Sequence, residues 1–474
     1  MSRRQLLAGL GVIAGAASLA GCGGSKTGTS AGSATSRSGT AASSKNPVKA
    51  GGVLQVGLPN EPEYQSLDLN KTIGTWTHLV GLTIFDTLLV KDQATETKLL
   101  PGLAAAYETN PDATEFTFKL RQGVKFHDGT DFNAEAVKYM MTRATDPKNS
   151  AALAFSYTGP SYQSTEVIDP QTVKMRFTKP NPVILSRFTR AYFGIPSPSA
   201  AEKMGDDKFS RGPVGSGPFV FKEWAAKDHV TVTKNPAYTW APEIFAHHDA
   251  TYLDALNFRV IPEPATRSSA LDSGDIKVLE ETPPQDVSRF LADNRFHGVQ
   301  SDPQGTSYLI YLNAGKPPTD EIAVRKAINH AFDKAAAIKT TFFGLHQPAY
   351  SPLTHTTFGY DDSLKGLYPH DVAKANALLD QAGWTMGSSG VRQKNGHDLS
   401  LSYISSFKDL GELVQSQLKQ IGARVEITIV PSGTQQQDRM LKAQDHMRDS
   451  GTQQAGFLNE DPDIMRVILS PDYI

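Results

Sequence analysis

Phe116-Thr117-Phe118-Lys119-Leu120-Arg121-Gln122-Gly123-Val124-Lys125-Phe126-His127-Asp128-Gly129-Thr130 alternates apolar and polar residues, first at Phe116, Phe118 and Leu120, then at Val124 and Phe126. A period of two places each set on one face of an extended strand. Between them Arg121-Gln122-Gly123 offers a turn, with glycine free to take a left-handed backbone. The pattern predicts a hairpin with one apolar face. Asp128-Gly129 reads as a second turn. The period then changes: Asn133 suits a helix N-cap, and Val137, Met140, Met141 and Ala144 recur at three and four, which predicts an amphipathic helix.

The same alternation of strand and helix signals runs through the flanking chain. Gly52-Val53-Leu54-Gln55-Val56-Gly57-Leu58 reads as a buried strand entering a loop at Pro59, and Val230 and Val232 share one strand face. A helix is predicted from Thr319 or Asp320, with Val324, Ala327, Ile328, Ala331 and Phe332 as its stripe. Another runs from a cap at Asp371 through Leu378, Leu379 and Ala382 to a stop at Gly383. A third carries Leu410, Leu413, Val414, Leu418 and Ile421, ends at Gly422, and is followed by a strand of Val425, Ile427 and Ile429. The class implied is mixed α/β.

The amino-terminal residues read as an address. Arg3 and Arg4 precede an apolar, small-residue run from Leu6 to Ala20, shorter than the ~20 residues a membrane-spanning helix needs. Leu19-Ala20-Gly21-Cys22 has the form of a lipoprotein processing box, so 1–22 is expected to be a signal peptide ending at a Cys22 that carries lipid. Ser2-Arg3-Arg4-Gln5-Leu6-Leu7 also resembles a twin-arginine signal, and both export routes stay open. Residues 23–50 are almost all Gly, Ser, Thr and Ala; they cannot bury enough apolar area to offset ordering entropy and are expected to form a disordered tether. A flexible coil of ~28 residues spans roughly 30 Å.

The 474 residues carry 47 Lys and Arg against 49 Asp and Glu. The charge is nearly balanced, and no basic stripe argues for nucleic acid. With one cysteine in the chain, a large core must hold the globule without disulfides.

Taken together and in order, these segments resemble the family 5 extracytoplasmic solute-binding proteins, the oligopeptide, dipeptide and nickel receptors of ABC importers. The stretch from Phe116 to Thr130 and its continuation Phe132-Asn133-Ala134-Glu135-Ala136-Val137 are similar to that family's signature. So are Pro101-Gly102-Leu103-Ala104, Val214-Gly215-Ser216-Gly217-Pro218-Phe219 and Lys234-Asn235-Pro236-Ala237-Tyr238. Ala323 to Asp333 and Asp461-Pro462-Asp463 complete the series. The resemblance implies a two-lobed, Venus-flytrap fold of the periplasmic-binding-protein type (class II) with an extra subdomain in the first lobe. Lobe I would be 51–95 with 212–303, the inserted subdomain 96–211 and lobe II 304–474. It also implies a non-catalytic, monomeric receptor, lipid-anchored on the outer face of the cell membrane. That receptor would deliver a small-molecule or peptide solute to ABC importer permease subunits and need no cofactor. A sugar, opine or metal chelate as solute, or a sensing role, are the alternatives.

Two segments are implied to touch the solute. One is the loop Thr72-Ile73-Gly74-Thr75-Trp76, before a helix-like stretch from Leu79 to Leu89; Gly74 would allow close backbone approach beside Thr75, and Trp76 would either cover an apolar group or sit in the core. The other is Gly456-Phe457-Leu458. In peptide receptors of the family an aspartate three positions before the late Asp-Pro-Asp step pairs with the peptide amine, and the equivalent position here is Leu458, with Ala455 where a tryptophan stands. Leucine cannot neutralise a buried ammonium. Either Asn459 or Glu460 takes that place, or free peptide amines are not gripped there. The family continues past this step, so the chain is expected to be truncated at Ile474, leaving strand edges unpaired.

Other chemistry-bearing groups read as structure. Asp128-Gly129 beside His127 closes a turn, the adjacent side chains of His247-His248-Asp249 diverge, and Ser216 lacks the spacing of a nucleophile elbow. No enzyme site is assembled.

Overall fold

Val53–Leu58 (β1) turns from half-exposed to buried along its length, as expected of a strand flanked on both sides. In a computed structural model of the chain, the described residues are 49–449, apart from 63–64, 73, 92–97, 150–152, 159–160, 300–304, 358, 406, 431–438, 440–441 and 443. Phe219–Ala225 (β8), His229–Lys234 (β9), Ala255–Val260 (β10) and Val278–Leu279 (β11) join β1 in a sheet ordered β11-β1-β10-β9-β8. Strand β1 is parallel to both neighbours, and β9 is antiparallel to β8 and β10. Its core takes in Leu58, Val80, Ile84, Val230 and Val232, the valines on one face as expected. Thr75–Ile84 (α1), Pro264–Ser273 (α7) and Pro284–Ala292 (α8) belong to this lobe.

The subdomain inserted in this lobe holds Ala104–Thr109 (β4), Glu115–Leu120 (β5), Tyr162–Asp169 (β6) and Thr172–Phe177 (β7), ordered β4-β5-β7-β6. A ribbon of Leu89–Lys91 (β2) and Leu99–Pro101 (β3) lies beside it. Helices Ala134–Ala144 (α2), Leu153–Thr158 (α3), Ile184–Arg187 (α4), Pro198–Met204 (α5) and Asp206–Arg211 (α6) complete this stretch. The side chain of Asn133 accepts from the backbone N–H groups of Glu135 and Ala136, so it caps α2 as its type suggests. Phe118 meets Phe188 edge to face with centroids 5.5 Å apart.

The opening stretch folds differently from a hairpin. Phe116, Phe118 and Leu120 do face the core, but the partners of β5 are β4 and β7. Val124 and Phe126 are buried without being a strand: Phe132 N–H bonds to Val124 O at 3.0 Å and Phe126 N–H to Thr130 O at 2.9 Å, closing a loop. Alternation reports which side chains are buried, and a loop can bury two of them as well as a strand.

Lobe II is built on Ile310–Leu312 (β12), Ser400–Ser405 (β16), Arg424–Ile429 (β17) and Met447–Asp449 (β18), ordered β12-β18-β16-β17. Strand β16 is parallel to β17 and β18, and β12 is antiparallel to β18. Ile322–Ala331 (α9), Val372–Gln381 (α11) and Lys408–Lys419 (α12) pack their predicted stripes into one core with Lys334–Thr341 (α10). Asp371 caps α11, and Gly422 ends the turn after α12 at φ 71°. A small meander of Thr385–Met386 (β13), Arg392–Lys394 (β14) and His397–Asp398 (β15) lies between α11 and β16. Helix α9 starts later than Thr319 or Asp320, because the buried Thr319 hydroxyl is engaged with the carbonyls of Asn313 and Lys316. Leu353, from the chain between α10 and α11, shares an apolar cluster with Tyr238 and Trp240.

Candidate functional site

Parallel strands leave their carboxyl ends on one edge of a sheet, and open α/β sheets bind ligands outside that edge. In lobe I the edge lies where β1, β10 and β11 end. It is tied by Ile261 N–H to Leu58 O at 2.8 Å and Glu280 N–H to Gly57 O at 3.1 Å. Arg267, near the start of α7, is buried there and donates to Ile261 O at 2.7 Å and Pro262 O at 3.0 Å, with Glu281 and Glu263 as its nearest countercharges. Burial is the larger influence and draws its pKa down.

In lobe II the edge lies where β16, β17 and β18 end. The Ser405 hydroxyl donates to the Asp449 carboxylate and accepts from Phe407 N–H at 3.2 Å, which fixes the chain leaving β16. Tyr308, Phe342 and Phe407 form a half-buried aromatic trio here, with centroids 5.9, 6.3 and 6.0 Å apart. Burial, and then the Asp449 charge, raise the Tyr308 and Tyr403 phenols well above their ordinary range, so both stay protonated. The edge therefore offers ring faces, while the Tyr308, Tyr403 and Ser405 hydroxyls are turned into the protein.

Apart from these edges, several motif segments meet at one buried carboxylate, Asp86. It accepts from Ser216 Oγ at 2.9 Å, Trp240 Nε1 at 3.0 Å and Tyr238 Oη at 3.1 Å. Burial pushes its pKa up to about 6 against those donors. Gly217 packs on the end of α1 so closely that a Cβ would meet the Ile84 carbonyl carbon at 2.6 Å. Ser216 is thus a turn residue holding a carboxylate. His127 is held by Gly217 O at 3.0 Å, and the Asp128 carboxylate accepts from Ser197 Oγ at 2.6 Å. His247 stacks on Tyr252 at 4.2 Å and bonds Ala250 O at 2.8 Å.

Gly74, Thr75 and Trp76, expected in a loop before a helix, begin the helix themselves. Gly74 is the N-cap of α1, Thr75 and Trp76 form its first turn, and the helix ends at Ile84, short of Leu89. The Trp76 indole is 5 % exposed and belongs to the lobe I core. Among the described residues, the buried Thr75 hydroxyl has no hydrogen-bond partner. His78, on the next turn, has its pKa lowered to about 4 by burial and then by Arg190. Cys22, Gly456, Phe457 and Leu458 lie outside the described residues. Reading the sequence did not single out Tyr308, Phe342, Phe407, Asp449, Asp86 or Glu280.

Residues 98–465 match the family described as bacterial extracellular solute-binding proteins, family 5. The chain is 30 % identical over 370 residues to the glutathione-binding protein GsiB of Escherichia coli, covering 78 % of this chain and 68 % of that one. Among solved structures it is similar to the ABC transporter-associated periplasmic binding protein DppA of Helicobacter pylori in complex with the peptide STSA. That match has a TM-score of 0.76 and 25 % identity, covering 88 % of this chain and 80 % of that one. It is also similar to AgaA of A. tumefaciens in complex with agropinic acid, with a TM-score of 0.72 and 28 % identity over 87 % and 78 % of the chains.

Proposed function

The chain belongs to the bacterial extracellular solute-binding proteins of family 5, and on that premise we propose that it captures a peptide or peptide-like solute between the carboxyl edges of its two lobes and delivers it to an ABC importer permease. The observation that carries this reading is the lobe II edge. Its half-buried aromatic trio suits the apolar side chains and flat peptide groups of a short peptide. The likeness to a glutathione-binding protein and a peptide-bound receptor supports the same class. Closure of the lobes buries the solute, and the solute shifts the population towards the closed form by binding it better. The protein acts as a receptor without turnover. Gly74 and Thr75, at the start of α1 with Trp76 packed beneath them in the core, complete the contacts with Gly456, Phe457 and Leu458.

The lobes divide as 51–95 with 212–303, the inserted 96–211 and 304–474. The globule is monomeric, exported, and held on the outer face of the membrane by lipid on Cys22 through the 23–50 tether. Replacing Cys22 by Ala moves the protein from the membrane fraction to the soluble one; retention in membranes contradicts the anchor.

A non-peptide solute is the second reading. Leu458 at the position implied to hold a peptide amine favours it, as does the likeness to the agropinic acid receptor. A thermal-shift screen with short peptides, oligosaccharides, opines and metal chelates separates the two. A ligand at about 100 times its Kd stabilises the fold by about 2.7 kcal/mol. The largest shifts are expected from di- to pentapeptides or glutathione; shifts from opines or chelates alone transfer the assignment to the second reading.

A further inference from the structure

Glu280 leaves β11 at the carboxyl edge of the lobe I sheet, held there by its backbone bond to Gly57 O at 3.1 Å. Its side chain is half-buried. Among the described residues, no side chain forms an ion pair or hydrogen bond with its carboxylate. Two other charged groups at this edge have partners of their own. Glu61 accepts from Lys227 N–H at 3.0 Å, and Arg267 is committed to the carbonyls of Ile261 and Pro262 and to Glu281 and Glu263.

A carboxylate withdrawn from water without a countercharge is costly to keep. Burial alone raises its pKa, with no neighbouring cation opposing the effect. Such a group at the switch point of an α/β sheet fits a charge that arrives with the ligand. The sequence position implied to meet a solute amine carries Leu458, whose side chain supplies no countercharge for a cationic solute.

We propose that Glu280 receives the positively charged group of the solute, an ammonium or a guanidinium. The inference rests on the reading that the solute lies between the two carboxyl edges, and it makes Glu280 a specificity-determining residue of that site. A charge-assisted bond from the solute would complete a carboxylate that the fold leaves open.

Titration calorimetry of the full chain at pH 7 with trialanine, N-acetyltrialanine, putrescine and maltotriose tests it. Glu280→Gln is expected to weaken trialanine and putrescine by about 30-fold, the loss typical of removing one partner of a desolvated charge pair. N-acetyltrialanine and maltotriose are expected to show no such loss. Glu280→Asp, which keeps the charge, is expected to retain the preference for amine-bearing probes. The circular dichroism melt of Glu280→Gln should not fall below that of the wild type, because an unpaired charge has been removed. Putrescine binding that depends on Glu280, without trialanine binding, sinks the peptide reading and leaves this inference standing. Equal affinities of wild type and Glu280→Gln for the amine-bearing probes overturn the inference while peptide capture stands. A wild type that takes up neither amine-bearing probe overturns it as well.

Discussion

Asp86 shows how one residue can bind several motif segments into a joint. Ser216, Tyr238 and Trp240 all donate to it, yet burial outweighs them and its folded pKa stands at about 6, above the ordinary 3.8. A carboxyl whose pKa is raised by folding stabilises most when protonated. Its contribution is whole below about pH 4 and is lost as pH rises through 6. At pH 7 the difference is about 3 kcal/mol. Asp86→Asn has the same shape and cannot ionise, so its melting temperature relative to wild type should rise between pH 4 and 7. Parallel pH profiles for the two proteins would show that Asp86 keeps an ordinary pKa. Gly217 is a steric counterpart: a Cβ would lie 2.6 Å from the Ile84 carbonyl carbon. Gly217→Ala should therefore cost about 1–3 kcal/mol or more by overpacking, read as a lower urea midpoint. An unchanged midpoint would mean the joint can open.

Among the elements, those with local causes were legible in the sequence. Asn133 caps α2 and Asp371 caps α11 through bonds within three residues of themselves, so residue type and spacing suffice. Asn133→Ala should cost about 1 kcal/mol, measured by chemical unfolding; no change would show that another group satisfies the first turn. The partner of β5 was not legible, because β7 lies at 172–177 and nothing near Phe116 specifies it. The loop that buries Val124 and Phe126 looks like a strand for the same reason. Trp76 carried two readings because an aromatic beside a glycine suits a contact loop or a helix start, and only packing distinguishes them. The lobe II trio escaped notice because Tyr308, Phe342 and Phe407 come from three distant segments. Glu280 was hidden because the lack of a countercharge is a property of its surroundings.

For the whole molecule, the main sheet of each lobe arranges parallel strands so that their carboxyl ends share one edge, and each has an apolar core apart from that edge. A receptor needs that separation: the cores keep the lobes rigid while the solute is met at the edges. On the proposed reading the solute supplies the free energy that closes the lobes on it. The central claim is capture of one peptide-like solute by one chain without turnover. Native mass spectrometry of the purified chain with increasing glutathione or trialanine tests it most directly. The account predicts a single saturable adduct of one intact peptide per chain. Peptides that never form an adduct, or that return cleaved, would contradict it.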